Sequence, residues 1–129
     1  MATINTVLAR AAKLREDAIP DGEKAQWIIE LDGKIRREIT ARHYPNEGEV
    51  IGPAPLRWPE DGDVPLAVDY PDAEIYVLYL FARCDFIVRD GNYYNESASA
   101  FNEAYSSFSS EYHRTHRPKH DNRIINLWR

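Results

Sequence analysis

One apolar stripe limits what this chain can fold into more than any other feature. Tyr94, Ala98, Phe101, Tyr105, Phe108 and Tyr112 follow one another at alternating spacings of four and three, a pattern that lines up only along one face of an α-helix. Ser97, Ser99, Ser106, Ser107, Ser109 and Ser110 lie largely off that stripe. A helix this long with one apolar face must be covered by other elements, so the rest of the chain is read for what packs against it.

Three further helices are expected. Ile4, Val7, Leu8, Ala11 and Leu14 recur at helical spacing over 4–17, with Thr3 or Asn5 as N-cap and Pro20-Asp21-Gly22 as the turn that ends the segment. Asp21 is positioned to cap a second helix carrying Trp27, Ile28, Leu31, Ile35 and Ile39. Its other face holds Glu30–Lys34, Asp32–Arg36 and Glu38–Arg42, each acid four residues ahead of a base, read as surface pairs. Gly33 inside that helix points to close packing. Pro71 is placed to begin a third helix, with Asp72 and Glu74 at the positive end of its dipole. Ile75 to Ala82 is apolar all round, which marks a central buried helix, and Gly91 in Asp90-Gly91-Asn92 reads as its C-cap.

Between the second and third helices the texture changes. Pro45, Pro53, Pro55, Pro59, Pro65 and Pro71 interrupt any long element, and acids and glycines fill the gaps. The expected fold is therefore all-α: about four helices in a small bundle over residues 1–129, one domain, with a long Pro-rich acidic arm (44–70) and a short basic C-terminal tail (117–129). Val50, Ile51, Leu56, Trp58, Val64, Leu66 and Val68 are apolar, so part of the arm is expected to pack or to meet a partner.

Charge divides along the same lines. The net charge of −5 conceals −7 over residues 44–74 and +4 over residues 113–129. An acidic arm and a basic tail suit head-to-tail complementarity between copies or with a charged partner. Met1 to Pro20 is charged throughout and no apolar stretch is long enough to span a bilayer, so neither a signal peptide nor membrane insertion is expected.

Chemistry finds little purchase. The single cysteine, Cys84, falls on the apolar third helix and reads as a buried, inert thiol. His113 and His116 share a helix face, but no acid or cysteine joins them in register and Pro118 intervenes before His120. They read as solvated basic groups at a helix end rather than metal ligands. No phosphate-binding loop or nucleophile elbow occurs, and the acids Asp61, Asp63, Asp69 and Asp72 lie in the Pro-rich arm without a fixed scaffold. No enzyme activity, metal, cofactor or small-molecule substrate is expected.

The tail asks for a partner. Ile124, Ile125, Leu127 and Trp128 are too few to form a core, and an aromatic anchor among arginines has the composition of an interface. The interface residues expected on this basis are Trp58 in the arm and Arg114, Arg117, Lys119, Arg123, Ile124, Leu127 and Trp128 in and before the tail.

Three stretches resemble small structural proteins of tailed-phage and prophage head–tail modules. They are Lys24-Ala25-Gln26-Trp27 through Leu31-Asp32-Gly33, then Tyr70-Pro71 leading into Ile75-Tyr76, and Tyr94-Asn95-Glu96-Ser97-Ala98 running through Phe101, Tyr105, Phe108 and Tyr112 to Arg114 and Arg117-Pro118-Lys119. The similarity covers roughly residues 24–39 and 70–119 and rests on packing and turn residues. It implies a head–tail connector (adaptor, head-completion) protein: a helical protomer that assembles a ring between portal and tail and acts without turnover. The implied partners are further copies, the portal, the next tail-side component, and DNA passing without sequence-specific contact. The implied location is the bacterial cytoplasm during assembly and then the virion neck. Two other readings stay open on the residues alone. One is a different protein of the same module, such as a packaging accessory factor; the other is a small helical DNA-binding or regulatory protein using its basic tail.

Overall fold

The computed structural model describes residues 2–15, 18–46, 55–88 and 91–119. Among these residues there are four α-helices, α1 (Ile4–Leu14), α2 (Asp21–Glu38), α3 (Glu74–Val88) and α4 (Gly91–Thr115), with a single 3₁₀ turn at Thr40–Arg42. The only extended pairings among them are two isolated bridges, Thr3 with Pro65 and His43 with Pro118. The all-α expectation holds at this level. No described helix is long and apolar enough to cross a membrane.

Local chemistry explains the boundaries. Thr3 caps α1 through its side chain, which accepts from the Thr6 N–H, while the Thr6 hydroxyl oxygen accepts from the Thr3 N–H. Such a reciprocal box satisfies two donors that a helix start otherwise leaves open. α2 opens at Asp21 behind Pro20, whose extended backbone occupies the cap position without a side-chain bond, so Asp21 is the first helical residue and not the cap. α3 begins at Glu74, because residues 71–73 form a turn ahead of it. Gly91 opens α4 and does not close α3.

α3 and α4 are joined by two residues and form the main antiparallel hairpin. Aromatic rings mark its register, with Tyr79 against Phe101 at 5.2 Å and Phe86 against Tyr94 at 5.6 Å between centroids. The core lies between this hairpin and the pair α1 and α2. Ile4, Val7, Ile28, Ile35, Tyr76, Val77 and Leu80 are its fully buried side chains. The stripe on α4 meets this core unevenly: Phe108 and Tyr112 are buried, whereas Tyr94, Ala98, Phe101 and Tyr105 are half-buried.

The C-terminal half of the acidic arm is part of the body. Leu56, Leu66 and Val68 are buried in the core, and residues 57–69 wrap the start of α1. The Asn5 N–H donates to the Gly62 carbonyl at 3.0 Å, the Leu66 N–H to the Ala2 carbonyl at 2.9 Å, and the Ala2 N–H to Asp69 at 2.8 Å. A Cβ on Gly62 would meet the Asn5 side-chain amide at 2.6 Å, so any larger residue there would displace Asn5 from its bonds to Trp58 and Asp63. Gly33, by contrast, has only the Arg37 guanidinium at ordinary contact distance, 3.6 Å, and marks no close packing.

Candidate interface

Where the bundle closes, three buried polar side chains meet two backbone N–H groups of the arm. Asp32 and Arg36, expected on the surface of α2, are almost fully buried, and their carboxylate and guanidinium pair at 2.7 Å. Asp32 Oδ1 also accepts from the Tyr76 hydroxyl at 2.8 Å and from the Ala67 N–H at 2.8 Å, and the Tyr76 oxygen accepts from the Val68 N–H at 3.3 Å. One carboxylate thus ties α2, α3 and the arm together. A buried charge persists only when paired and hydrogen-bonded, and Asp32 meets both conditions. Burial and the adjacent Asp32 charge push the Tyr76 hydroxyl well above its ordinary pKa. Of the expected Glu38–Arg42 pair, Glu38 accepts from the Tyr105 hydroxyl at 3.2 Å, and Arg42 lies beyond the helix end in the 3₁₀ turn. Burial and the Glu38 charge push the Tyr105 hydroxyl up to about 12.

The same end holds a clasp between the chain leaving α2 and the chain leaving α4. The Tyr44 N–H donates to the Arg117 carbonyl at 2.8 Å and the Lys119 N–H to the Arg42 carbonyl at 2.9 Å. Asn46 adds a bond from its side-chain amide to the Thr115 carbonyl at 3.2 Å. Behind this bridge His43 is 2% exposed. Its Nδ1 faces the Ile39 carbonyl at 2.7 Å and its Nε2 faces His113 Nδ1 at 2.8 Å. A carbonyl can only accept, so Nδ1 of His43 is the donor to Ile39; in the neutral imidazole Nε2 then accepts from the His113 Nδ1–H. His116 lies flat on Tyr112, centroids 3.6 Å apart and planes 3° from parallel. His116 is buried, where the sequence led us to expect a solvated group, whereas His113 is exposed as expected and hydrogen-bonds His43. A helix end with a second segment laid over it shields side chains that an isolated end would expose.

The expected interface residues divide into three sets. Trp58 is half-buried, and its indole N–H donates to Asn5 Oδ1 at 3.0 Å, so it anchors the arm to α1. Arg114 is exposed and ion-paired with Glu111. Arg117 and Lys119 are exposed and flank the Tyr44 ring, 5.7 and 5.5 Å from its centroid. Arg123, Ile124, Leu127 and Trp128 lie outside the described residues, as does His120. The clasp sets Arg117 and Lys119 beside residues 42–46.

The opposite end of the hairpin is open. Phe86, Ile87 and Val88 at the end of α3 and Tyr93 at the start of α4 are 61%, 49%, 66% and 63% exposed. A groove of about 290 Å³ runs from this patch between the helices, lined by Tyr79, Ala82, Arg83, Phe86, Tyr94 and Phe101. α1 reaches the same end, because Arg15 pairs with the buried Asp85, which also accepts from the Ser97 hydroxyl. Cys84 beside it is buried. Sequence reasoning passed over 86–88, although three successive apolar residues just before a glycine turn were the available signal.

No three His, Cys, Asp or Glu side chains among the described residues come together as a metal-binding set. The described residues thus form two unlike features: a clasp that brings residues 42–46 and 115–119 together, and an exposed apolar end at 86–88 and 93. Comparison with protein-family models, curated proteins and solved structures found no match.

Proposed function

We propose that this chain is a structural protomer of the tailed-phage head–tail module, a connector that joins portal to tail by assembling with further copies and without catalysis. The observation that carries this reading is the clasp. Paired backbone at Arg42, Tyr44, Arg117 and Lys119 fixes the start of the basic tail beside residues 42–46. That clasp is one surface, and the exposed apolar end of α3 and α4 is a second, different one. Two unlike surfaces on one protomer make heterologous contacts, which close into rings when the rotation allows. The likeness of 24–39 and 70–119 to head–tail proteins supplies the biological setting, with portal, tail-side component and passing DNA as partners.

The test is assembly. The purified chain, alone and mixed with the portal protein of its own genome, is followed by light scattering and negative-stain electron microscopy. Portal-bound rings are the expected result. A chain that stays monomeric at every concentration and never joins the portal contradicts the proposal.

A further inference from the structure

The clasp has an outer face as well as a buried one. His43 and Pro118 form an isolated antiparallel bridge, flanked by the Tyr44 N–H bond to the Arg117 carbonyl and the Lys119 N–H bond to the Arg42 carbonyl. Side chains alternate across such a ribbon, so a bridge that turns His43 into the core turns its neighbours outward. Arg42, Tyr44, Arg117 and Lys119 are accordingly all exposed and share that face. The Tyr44 ring is 48% exposed, and the Arg117 and Lys119 charges lie 5.7 and 5.5 Å from its centre.

The positive charge of this face is not balanced locally. Glu38 has the spacing to pair with Arg42 but accepts from the Tyr105 hydroxyl instead, and Glu111 pairs with Arg114. Arg42, Arg117 and Lys119 have no ion-pair partner among the described residues. The negative end of the α4 dipole favours cations here, but it does not call for an exposed aromatic ring on the same face. Three cations beside such a ring suit a ligand that carries both several negative charges and a flat π-surface. A nucleic-acid strand has both: phosphates for the cations and an unpaired base for the ring. In a duplex the bases stay stacked on their neighbours, so the ring selects an unpaired strand. An acidic peptide would supply the charge alone. The scaffold is pre-set, since His43 beneath the ribbon is buried and bonded to Ile39 and His113.

We propose that the outer face of the clasp, formed by Arg42, Tyr44, Arg117 and Lys119, binds single-stranded nucleic acid, with phosphates on the three cations and a base stacked on Tyr44. The contact goes beyond the connector reading and needs no ring, so strand binding and portal assembly are tested separately.

The probe is a fluorescent oligo(dT) ten-mer, titrated by anisotropy into the full-length protein at low salt. Saturable binding is expected, tighter than for an abasic strand of equal length, a duplex or polyglutamate. Arg117→Ala/Lys119→Ala should weaken it at least tenfold and make the slope of log K against log[salt] shallower by about 1.4, at roughly 0.7 per phosphate contact. Tyr44→Ala should weaken oligo(dT) binding about tenfold, the worth of one stacked base, and leave the abasic strand unaffected; Tyr44→Phe should restore binding. All three side chains are exposed, so the thermal melts should match that of the wild type. The proposal is overturned by no saturable binding at low salt, or by equal binding to the cation variant or to Tyr44→Ala. It is equally overturned by a duplex or polyglutamate held as tightly as the strand.

Discussion

The two ends of the α3–α4 hairpin are finished differently. At the end where α3 begins and α4 stops, Asp32, Arg36 and Tyr76 are buried and bonded, His43 is sealed by His113, and Tyr112 is covered by His116. At the end where α3 stops and α4 begins, Phe86, Ile87 and Val88 are half or more exposed. Both ends belong to the same two helices, so helix propensity does not separate them. The difference is what lies across them: the arm and the clasp close one end, and no described segment covers the other. Stability is thus concentrated where the chain covers itself, and apolar surface remains where it does not.

The largest expected effect lies at the closed end. Asp32→Ala leaves the Arg36 charge and the Tyr76 and Ala67 donors without their shared acceptor, and breaking a buried pair in this way costs about 3–5 kcal/mol. Urea unfolding followed by circular dichroism measures it. A loss under about 1 kcal/mol would mean that Asp32 does not organise this end. His43→Ala comes next. It removes a buried ring and its bonds to Ile39 and His113, for an expected loss of about 1–3 kcal/mol, together with faster amide exchange at Tyr44 and Lys119.

Alkaline pH weakens the same region by a smaller step. The Tyr105 pKa is raised from 10.0 to about 12 and burial beside Asp32 pushes that of Tyr76 up as well, so the folded state holds protons that the unfolded chain has already lost above pH 10. Their stabilising contribution is complete below pH 10 and is lost as pH rises toward 12 and beyond. Tyr105→Phe should flatten the slope of stability between pH 10 and 12 in urea titrations, with Tyr76 accounting for the slope that remains. The smallest effect on folding is expected at the open end. Phe86→Ser/Val88→Ser should change stability by less than about 0.5 kcal/mol in the same assay, because exposed side chains away from buried features contribute little. A loss as large as that of Asp32→Ala would show that these residues serve the fold and not a partner.

The helices were legible in the sequence because periodicity is a local signal. The Tyr94–Tyr112 stripe and the Trp27–Ile39 face lie where their spacing predicts. What the sequence concealed is non-local. Asp32 and Arg36 have the spacing and charges of a surface pair; they are buried because Ala67 and Val68, more than thirty residues away, fold over them. His116 reads as a solvated basic residue until residues 42–44 cross the end of α4. The apolar residues 86–88 carry no sign in the sequence that α3 ends at Val88 with their side chains exposed. Trp58 has interface composition, yet here it spends its indole N–H on Asn5.

The difference between the two ends is tested most directly by amide hydrogen exchange of the full-length chain. The N–H groups of Tyr44, Ala67 and Lys119, which close one end through bonds to Arg117, Asp32 and Arg42, should exchange at least about tenfold more slowly than those of Phe86, Ile87 and Val88 at the exposed end. Equal protection at the two ends, or the reverse order, would contradict the account.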